Sequence, residues 1–129
     1  MGYSGCVGEW EVSLTEDVED WLLDLAKSDP DSANQVAAAI DLLAAEGPAL
    51  GRPFVDRVKG SDYKNMKELR PGSAGETEIR ILFAFDPQRE AILLVAGDKS
   101  GNWKGWYETS ILEADRKFAD HLRELKGQH

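Results

Sequence analysis

The 129-residue sequence is poor in the side chains that most often carry catalysis or hold metals. It contains one cysteine, Cys6, and two histidines, His121 and His129. A lone cysteine cannot form an internal disulfide, and nothing near Cys6 resembles a metal site, so we expect an inert thiol. His121 falls on the polar side of a predicted helix and His129 is terminal, so both are expected to be bystanders. We therefore expect no histidine-based catalysis, no metal site and no cofactor.

The sequence also lacks a long apolar run. No stretch of about 18 apolar residues occurs, which argues against a membrane-spanning helix. Residues 1–8 lack the basic start and apolar core of a signal peptide, so we interpret them as a flexible N-terminal extension. Residues 9–126 are long enough for a single domain with one core. The expected location is the cytoplasm.

Basic residues are scarce in the first part of the chain. The net charge is −9, yet residues 1–51 contain eleven acidic residues and one base, Lys27, whereas residues 52–105 contain ten bases and eight acids. An acidic chain argues against indiscriminate nucleic-acid binding, because attraction to phosphates does not depend on sequence. It is compatible with a local basic surface, because salt screens interactions beyond about 10 Å.

Hydrophobic periodicity and capping residues divide the chain into elements. Residues 10–14 alternate as a strand, and Thr15 is a predicted N-cap for the helix that follows. Asp29-Pro30 ends this helix and begins a second one, which ends at Gly47-Pro48. A loop at 48–64 holds a short turn or strand, strands follow at about 65–70, 78–86 and 91–97, and the last helix runs from about 110 to 126.

The connections between the last three strands are too short for parallel crossovers, so these strands are predicted to form an antiparallel meander. The predicted fold is α+β, in the order β-α-α-β-β-β-α, with a twisted, mainly antiparallel sheet packed on helices. We expect the helices to cover one face of the sheet and to leave the other face free.

Isolated cations interrupt the apolar strands, which suggests a surface built for an anion. Arg80 alternates with Ile79 and Ile81, so its side chain is expected to point onto the free face. Arginine suits phosphate, because its planar fork contacts two oxygens and stays charged. An ion pair with Glu68 or Glu78 on a solvated face is the alternative for Arg80.

The segment after the last strand is rich in lysine and tryptophan. Tryptophan rings stack on unpaired bases, an interaction worth about 1–3 kcal/mol per base. Contacts in the core or with a partner protein are the alternative for these rings. The candidate RNA-binding residues are Lys64, Lys67, Trp103, Lys104 and Trp106.

The motifs Lys67-Glu68-Leu69-Arg70, Ile79-Arg80-Ile81-Leu82-Phe83 and Gly97-Asp98-Lys99-Ser100, followed by a helix, occur in an order that resembles the RelE/ParE toxin superfamily of bacterial toxin–antitoxin systems. The likeness is closer to HigB-like, phage-derived toxins and covers about residues 9–126. It implies a RelE/ParE-like fold and metal-independent cleavage of mRNA, usually on the ribosome. It also implies neutralisation by a helix-turn-helix, HigA-like antitoxin, through which alone the toxin would reach promoter DNA.

The resemblance assigns roles by matching positions. Arg70, Arg80 and Lys99 match phosphate-binding cations, and Tyr107 matches the tyrosine that ends the segment after the last strand. ParE members instead inhibit DNA gyrase, so a non-catalytic toxin or binding module on the same fold is the alternative function.

RelE itself has two lysines where this chain has Met66 and Glu68, so a lysine base is not carried over.

The roles of Glu68 and Tyr107 have alternatives. Glu68 is a candidate general base or a partner of Arg80, and Tyr107 is a candidate proton donor, a stacking ring or a cap on the core.

Overall fold

The computed structural model describes residues 10–72, 75 and 77–127 as an α+β fold with a five-stranded mixed sheet. The predicted N-terminal extension, Cys6 and His129 lie outside the described residues. No helix in the described ranges combines the length and the hydrophobicity needed to cross a membrane. The elements are β1 (Glu11–Leu14), α1 (Glu16–Ser28), α2 (Pro30–Glu46), β2 (Val55–Arg57), β3 (Lys67–Leu69), β4 (Ile79–Phe85), β5 (Glu90–Asp98) and α3 (Trp103–Gly127).

The strands lie side by side in the order β1-β5-β4-β3-β2. Strands β3, β4 and β5 form the predicted antiparallel meander, and β2 extends it as an antiparallel edge strand from the loop at 48–64. Strand β1 pairs with β5 in parallel, and the long connection through α1, α2 and the rest of the sheet makes this direction possible. The predicted mainly antiparallel sheet is therefore confirmed. It has five strands rather than the four of the predicted order, and the additional strand is β2.

The first two helices begin where capping residues predict. The Thr15 hydroxyl accepts a hydrogen bond from the Val18 amide at 3.4 Å, and the Asp29 carboxylate accepts one from the Ser32 amide at 3.3 Å. These bonds satisfy amide groups that a helix N-terminus leaves without intrahelical partners. Gly47 caps the end of helix α2, and its φ of 58° suits glycine.

Helices cover both faces of the sheet, so the prediction of one free face is wrong. Helices α1 and α2 pack on the face that carries Ile81, Phe83 and Leu93, whereas α3 packs Ala114 and Phe118 on the opposite face. The physical reason lies in β4 and β5, which are apolar on both faces. Strands of this kind require cover on both sides.

Helix α3 begins at Trp103, seven residues before the predicted start near Ser110. Asn102 caps it, because its side-chain oxygen lies 3.4 Å from the Gly105 amide and its carbonyl accepts from the Trp106 amide at 3.0 Å. Gly101, with a φ of 86°, turns the chain into this cap. The tryptophans and Tyr107 therefore stand on a helix rather than on a loop.

Candidate functional site

A buried carboxylate, Glu68 on β3, is the centre of the candidate site, and only 4% of its surface is exposed. Its Oε1 lies 3.5 Å from Arg80 Nε, and its Oε2 lies 3.4 Å from Arg70 Nη2. The Tyr107 hydroxyl donates to Oε1 and lies 3.1 Å from Oε2. We call Glu68, Arg70, Arg80 and Tyr107 the Glu68 cluster.

Strand register brings the Glu68 cluster together. Glu68 pairs with Leu82 on β4, and Arg80 pairs with Gly97 on β5, so both charged side chains share the α3 face of the sheet. Gly97 allows the Trp106 indole to lie directly on β5, because a Cβ there would come within 2.4 Å of its nitrogen. This contact places the first turns of α3, with Tyr107, over the charged side chains.

The Tyr107 phenol is held in its protonated form. Burial and the hydrogen bond to Glu68 raise the pKa of Tyr107 to about 12. Each effect disfavours phenolate, because burial penalises the charged form and Glu68 is an anion that accepts the phenolic proton. A phenol of this kind can donate a proton near neutral pH but cannot serve as a base.

Arg70 and Arg80 also line an open cleft of about 730 Å³ beside β4. The Nε atoms of both arginines are buried and have no hydrogen-bond partner among the described residues. The contact of Arg80 Nε with Glu68 is thus an ion pair without hydrogen-bond geometry. The rest of the cleft is formed by Pro53, Phe54, Pro71, Gly72, Gly75, Thr77 and Glu78.

Carboxylates already neutralise much of this positive charge. Asp56 Oδ2 lies 3.1 Å from Arg70 Nη2, and Asp56 also pairs with the exposed Arg52. A hydrogen bond from the Arg57 amide, with smaller contributions from Arg52 and Arg70, lowers the pKa of Asp56. The ion pair between Arg80 and Glu68, an alternative that the sequence left open, is present.

Lys99 and Trp103 border the Glu68 cluster on the α3 side. Lys99 Nζ lies 5.5 Å from the centre of the Tyr107 ring, a distance typical of a cation–π contact. The Trp103 ring centre lies 6.4 Å from that of Tyr107, and 60% of Trp103 is exposed. Trp103 and Lys104 line a second, largely apolar groove of about 470 Å³ that also includes Tyr107.

Residues 23–119 match the family described as Phage derived protein Gp49-like (DUF891). The chain belongs to this family. It is 54% identical over 115 residues to "Putative toxin HigB2" of Mycobacterium tuberculosis (strain ATCC 25618 / H37Rv), an alignment that covers 89% of this chain and 57% of that protein. It is 52% identical over 116 residues to "Putative toxin HigB3" of the same strain, covering 90% of this chain and 96% of that protein.

The expected resemblance to HigB-like, phage-derived proteins is therefore confirmed. The chain spans little more than half the length of the HigB2 relative, whereas it spans nearly all of the HigB3 relative.

One lysine of the predicted RNA-binding set points away from the Glu68 cluster of this Gp49-like chain. Lys67 neighbours Glu68 in β3 but points to the other face, where its Nζ lies 5.7 Å from the centre of the Phe85 ring. Lys64 is exposed in the loop before β3. Trp106 is half-buried and packs against the core beneath α3. The exposed members of the set are Lys64, Trp103 and Lys104.

Asp56 is a neighbour of the cluster that sequence reasoning missed. The signal that could have found it is the short strand Val55–Arg57, which places Asp56 opposite Glu68 in the β2–β3 pair.

His121, expected from the sequence to be a bystander, contacts a buried carboxylate. Its Nε2 lies 2.8 Å from Oδ2 of Asp86, whose side chain is fully buried at the β4–β5 turn. The partner could not be found from sequence, because the prediction left this face of the sheet uncovered.

Proposed function

We propose that this chain is the toxin of a toxin–antitoxin module and that it cleaves mRNA, without a metal ion, at the Glu68 cluster. The names of the HigB2 and HigB3 relatives support the first part of this proposal. One observation carries the second part: two arginines and a high-pKa tyrosine surround one buried carboxylate at the edge of an open cleft.

The cluster supplies two of the requirements of RNA cleavage. When a 2′-hydroxyl attacks the neighbouring phosphorus, its proton passes to solvent water, negative charge grows on the phosphate oxygens, and the bond to the 5′-oxygen breaks to leave a 2′,3′-cyclic phosphate. Arg70 and Arg80 bind these phosphate oxygens from the cleft. Tyr107 protonates the departing 5′-oxygen, because its pKa of about 12 keeps the phenol protonated.

Glu68 is a positioning residue in this proposal rather than a general base. It is buried and already accepts the Tyr107 hydroxyl, and it contacts both arginines. Its contacts hold three side chains from three separate parts of the chain in one arrangement. Precise placement of this kind is a major part of catalysis, because the groups need no reorganisation when charge develops.

Recognition of single-stranded RNA falls to the exposed groups beside Tyr107. The exposed Trp103 ring offers a surface for base stacking, and Lys99 and Lys104 supply positive charge near the RNA backbone.

We further propose that the mRNA is cleaved on the ribosome. The partner is a small helix-turn-helix, HigA-like antitoxin, and promoter DNA is bound only through that partner.

The test is inducible expression of the chain in a bacterial host, with mRNA 5′ ends mapped and growth recorded. The variants are Arg80→Ala and Tyr107→Phe. The matched control is Arg116→Ala, since Arg116 is an exposed arginine on α3 that pairs only with Glu113 in the described structure. We expect growth arrest with new mRNA ends. Arg80→Ala should lower cleavage by about 10²–10³-fold, the loss typical of removing one charge-stabilising donor. The control should behave as wild type.

Growth arrest with intact mRNA would overturn the nuclease proposal. One observation favours the alternative of a non-catalytic, gyrase-inhibiting toxin: Glu68 and Asp56 partly neutralise the arginines before any phosphate binds. A DNA supercoiling assay separates the two functions, because a gyrase inhibitor would stop supercoiling without producing new RNA ends.

A further inference from the structure

A second cluster of ionisable side chains lies at the opposite end of the sheet. Asp86, Glu90 and His121 each offer a ligand atom, and these atoms all lie within 4.8 Å of one another. We call them the Asp86 triad. The triad joins the β4–β5 turn, the start of β5 and the second half of α3. The triad is not predictable from the sequence pattern, because the expected fold places no helix on this face of the sheet.

Backbone and side-chain contacts already orient the two carboxylates. Asp86 Oδ1 accepts hydrogen bonds from the amides of Gln88 at 2.8 Å and Glu90 at 3.0 Å, which leaves Oδ2 facing His121. The Ser13 hydroxyl donates to Oε2 of Glu90. Outer partners of this kind are what fix the ligands of metal sites in proteins.

We propose that Asp86, Glu90 and His121 bind one zinc ion, with water in the fourth position. One imidazole nitrogen and two carboxylate oxygens form a donor set that suits zinc, whereas magnesium prefers oxygen ligands alone. Two ligands at about 2.0–2.1 Å from a tetrahedral ion lie about 3.3 Å apart. The 2.8 Å between Asp86 Oδ2 and His121 Nε2 needs only a small widening.

The ion replaces the direct hydrogen bond between Asp86 and His121, and the ring nitrogen binds through its lone pair after giving up its proton. The surroundings favour a cation, because Asp17, Asp120 and Glu124 line the groove that His121 borders, opposed there by Lys117. Glu90 and His121 are both partly exposed, and His121, with 20% of its side chain exposed, provides the entry.

The zinc site is separate from the Glu68 cluster. Asp86 follows Arg80 by six residues along β4, a distance of about 20 Å. His121 follows Tyr107 by fourteen residues along α3, about 21 Å. The ion therefore holds the second half of α3 against the β4–β5 turn and takes no part in RNA cleavage.

The experiment is calorimetric titration of ZnCl₂ into the full chain after removal of metals with EDTA, with MgCl₂ as the comparison. We expect one zinc per chain, a higher melting temperature with zinc, and no response to magnesium. Glu90→Gln and His121→Gln should each weaken zinc binding by at least about tenfold, since even loss of an outer partner costs 10–100-fold. The matched control Glu113→Gln, a partly exposed residue two turns before His121 on α3, should bind zinc as the wild type does.

Glu90→Gln keeps the hydrogen bond between Asp86 and His121, so its circular dichroism and melting temperature in EDTA should match those of the wild type. No heat of binding with the wild type would overturn the proposal. Zinc binding that survives both triad substitutions but is lost in Cys6→Ser would place the metal elsewhere and also overturn it. The growth-arrest assay does not enter this test, so the outcome is independent of the proposed nuclease function.

Discussion

The Glu68 cluster reaches the start of β4, where Arg80 lies, whereas Asp86 lies just beyond the other end, and the two buried carboxylates are satisfied in different ways. Glu68, which pairs with Leu82 at the centre of β4, contacts three ionisable side chains, of Arg70, Arg80 and Tyr107. Asp86, just after β4, accepts two amides of its own turn and contacts one side chain, His121. The first arrangement depends on distant parts of the chain, and the second is mostly local.

This difference separates a cluster that stability explains poorly from an aspartate whose contacts are explained by its own turn. Buried ion pairs carry a large desolvation cost, and well-packed apolar residues often replace them without loss of stability. The Glu68 cluster is therefore weakly explained by stability, and its position beside an open cleft favours a chemical role. An aspartate that accepts the amides of its own turn is a common structural device that lowers the cost of the turn.

The largest expected loss of stability is at Glu68. Glu68→Ala leaves Arg80 and Arg70 without their shared anion, and Arg80 is largely buried. Removing one partner of a buried ion pair costs about 3–5 kcal/mol. We expect the free energy of unfolding, measured with urea, to fall by an amount near this range. Glu78→Ala, which removes an exposed carboxylate beside the same cleft, is the control and should change stability little. A loss of less than about 1 kcal/mol for Glu68→Ala would show that the cluster is effectively solvated.

A smaller loss of stability is expected at Asp86, beyond the other end of β4. Asp86→Ala removes the acceptor for the Gln88 and Glu90 amides and the partner of His121. Unsatisfied buried groups cost about 1–3 kcal/mol, so we expect a loss of about 2 kcal/mol in urea unfolding. Asp86→Asn keeps an acceptor oxygen for the turn and should lose less.

The same two variants sharpen the comparison between the ends. Both should still arrest growth when expressed, because Asp86 lies about 20 Å along β4 from Arg80. Loss of toxicity in Asp86→Asn, at unchanged protein level, would contradict the separation of the two ends.

Tyr107→Phe tests how the phenol is held. It removes the hydrogen bond to Glu68, and bonds to charged groups contribute about 1.5 kcal/mol or more. The pKa of Tyr107 is raised from 10.0 to about 12, so the folded state holds its proton more tightly than the unfolded state does. Its contribution to stability is therefore complete below about pH 10 and lost as the pH rises through about 12.

Absorbance titration of the phenols measures this directly. The wild type should show one phenol that titrates near pH 12, and Tyr107→Phe should lack it. The chain has two other tyrosines, Tyr3 and Tyr63, which remain in the variant as internal references. Wild-type and variant titrations that superimpose above pH 10 would refute the hydrogen-bonded, buried phenol.

Local chemistry explains which parts of the fold were predictable. Thr15 and Asp29 cap their helices through side chains within three residues, so sequence patterns alone identified both starts. The strands of the meander were also identified, because their apolar runs are bounded by turn residues. The early start of α3 was missed, since Gly105 is a poor helix former and Asn102 was not recognised as its cap.

The candidate site was predictable in its members but not in its arrangement. Sequence patterns identified five candidates: Glu68, Arg70, Arg80, Lys99 and Tyr107. They could not show that Glu68 is the buried partner of both arginines and Tyr107, because this depends on strand register and on the position of α3. Neither follows from periodicity, which assigns a side chain to a face without stating what covers that face. The contact of His121 with Asp86 was not predictable for the same reason, because its partner lies on a different element.

The smallest loss of stability is expected at the ion pair through which Lys117 joins α3 to the first turn of α1. Its Nζ lies 2.7 Å from Oδ2 of Asp17, which is exposed, and 3.2 Å from the Leu94 carbonyl. The hydrogen bond from Lys117 lowers the pKa of Asp17 below its ordinary 3.8, so this pair stabilises the fold above that pH and ceases to do so as the pH falls through the lowered value. Asp17→Asn should reduce stability at neutral pH by less than Tyr107→Phe does, and the difference from wild type should shrink in high salt and disappear in acid. The exposed pair of Arg123 and Asp120 on α3 provides the control, through Asp120→Asn. A change at the Glu68 cluster in Asp17→Asn, seen as a shifted Tyr107 titration, would show that the ends are coupled through α3 and not independent.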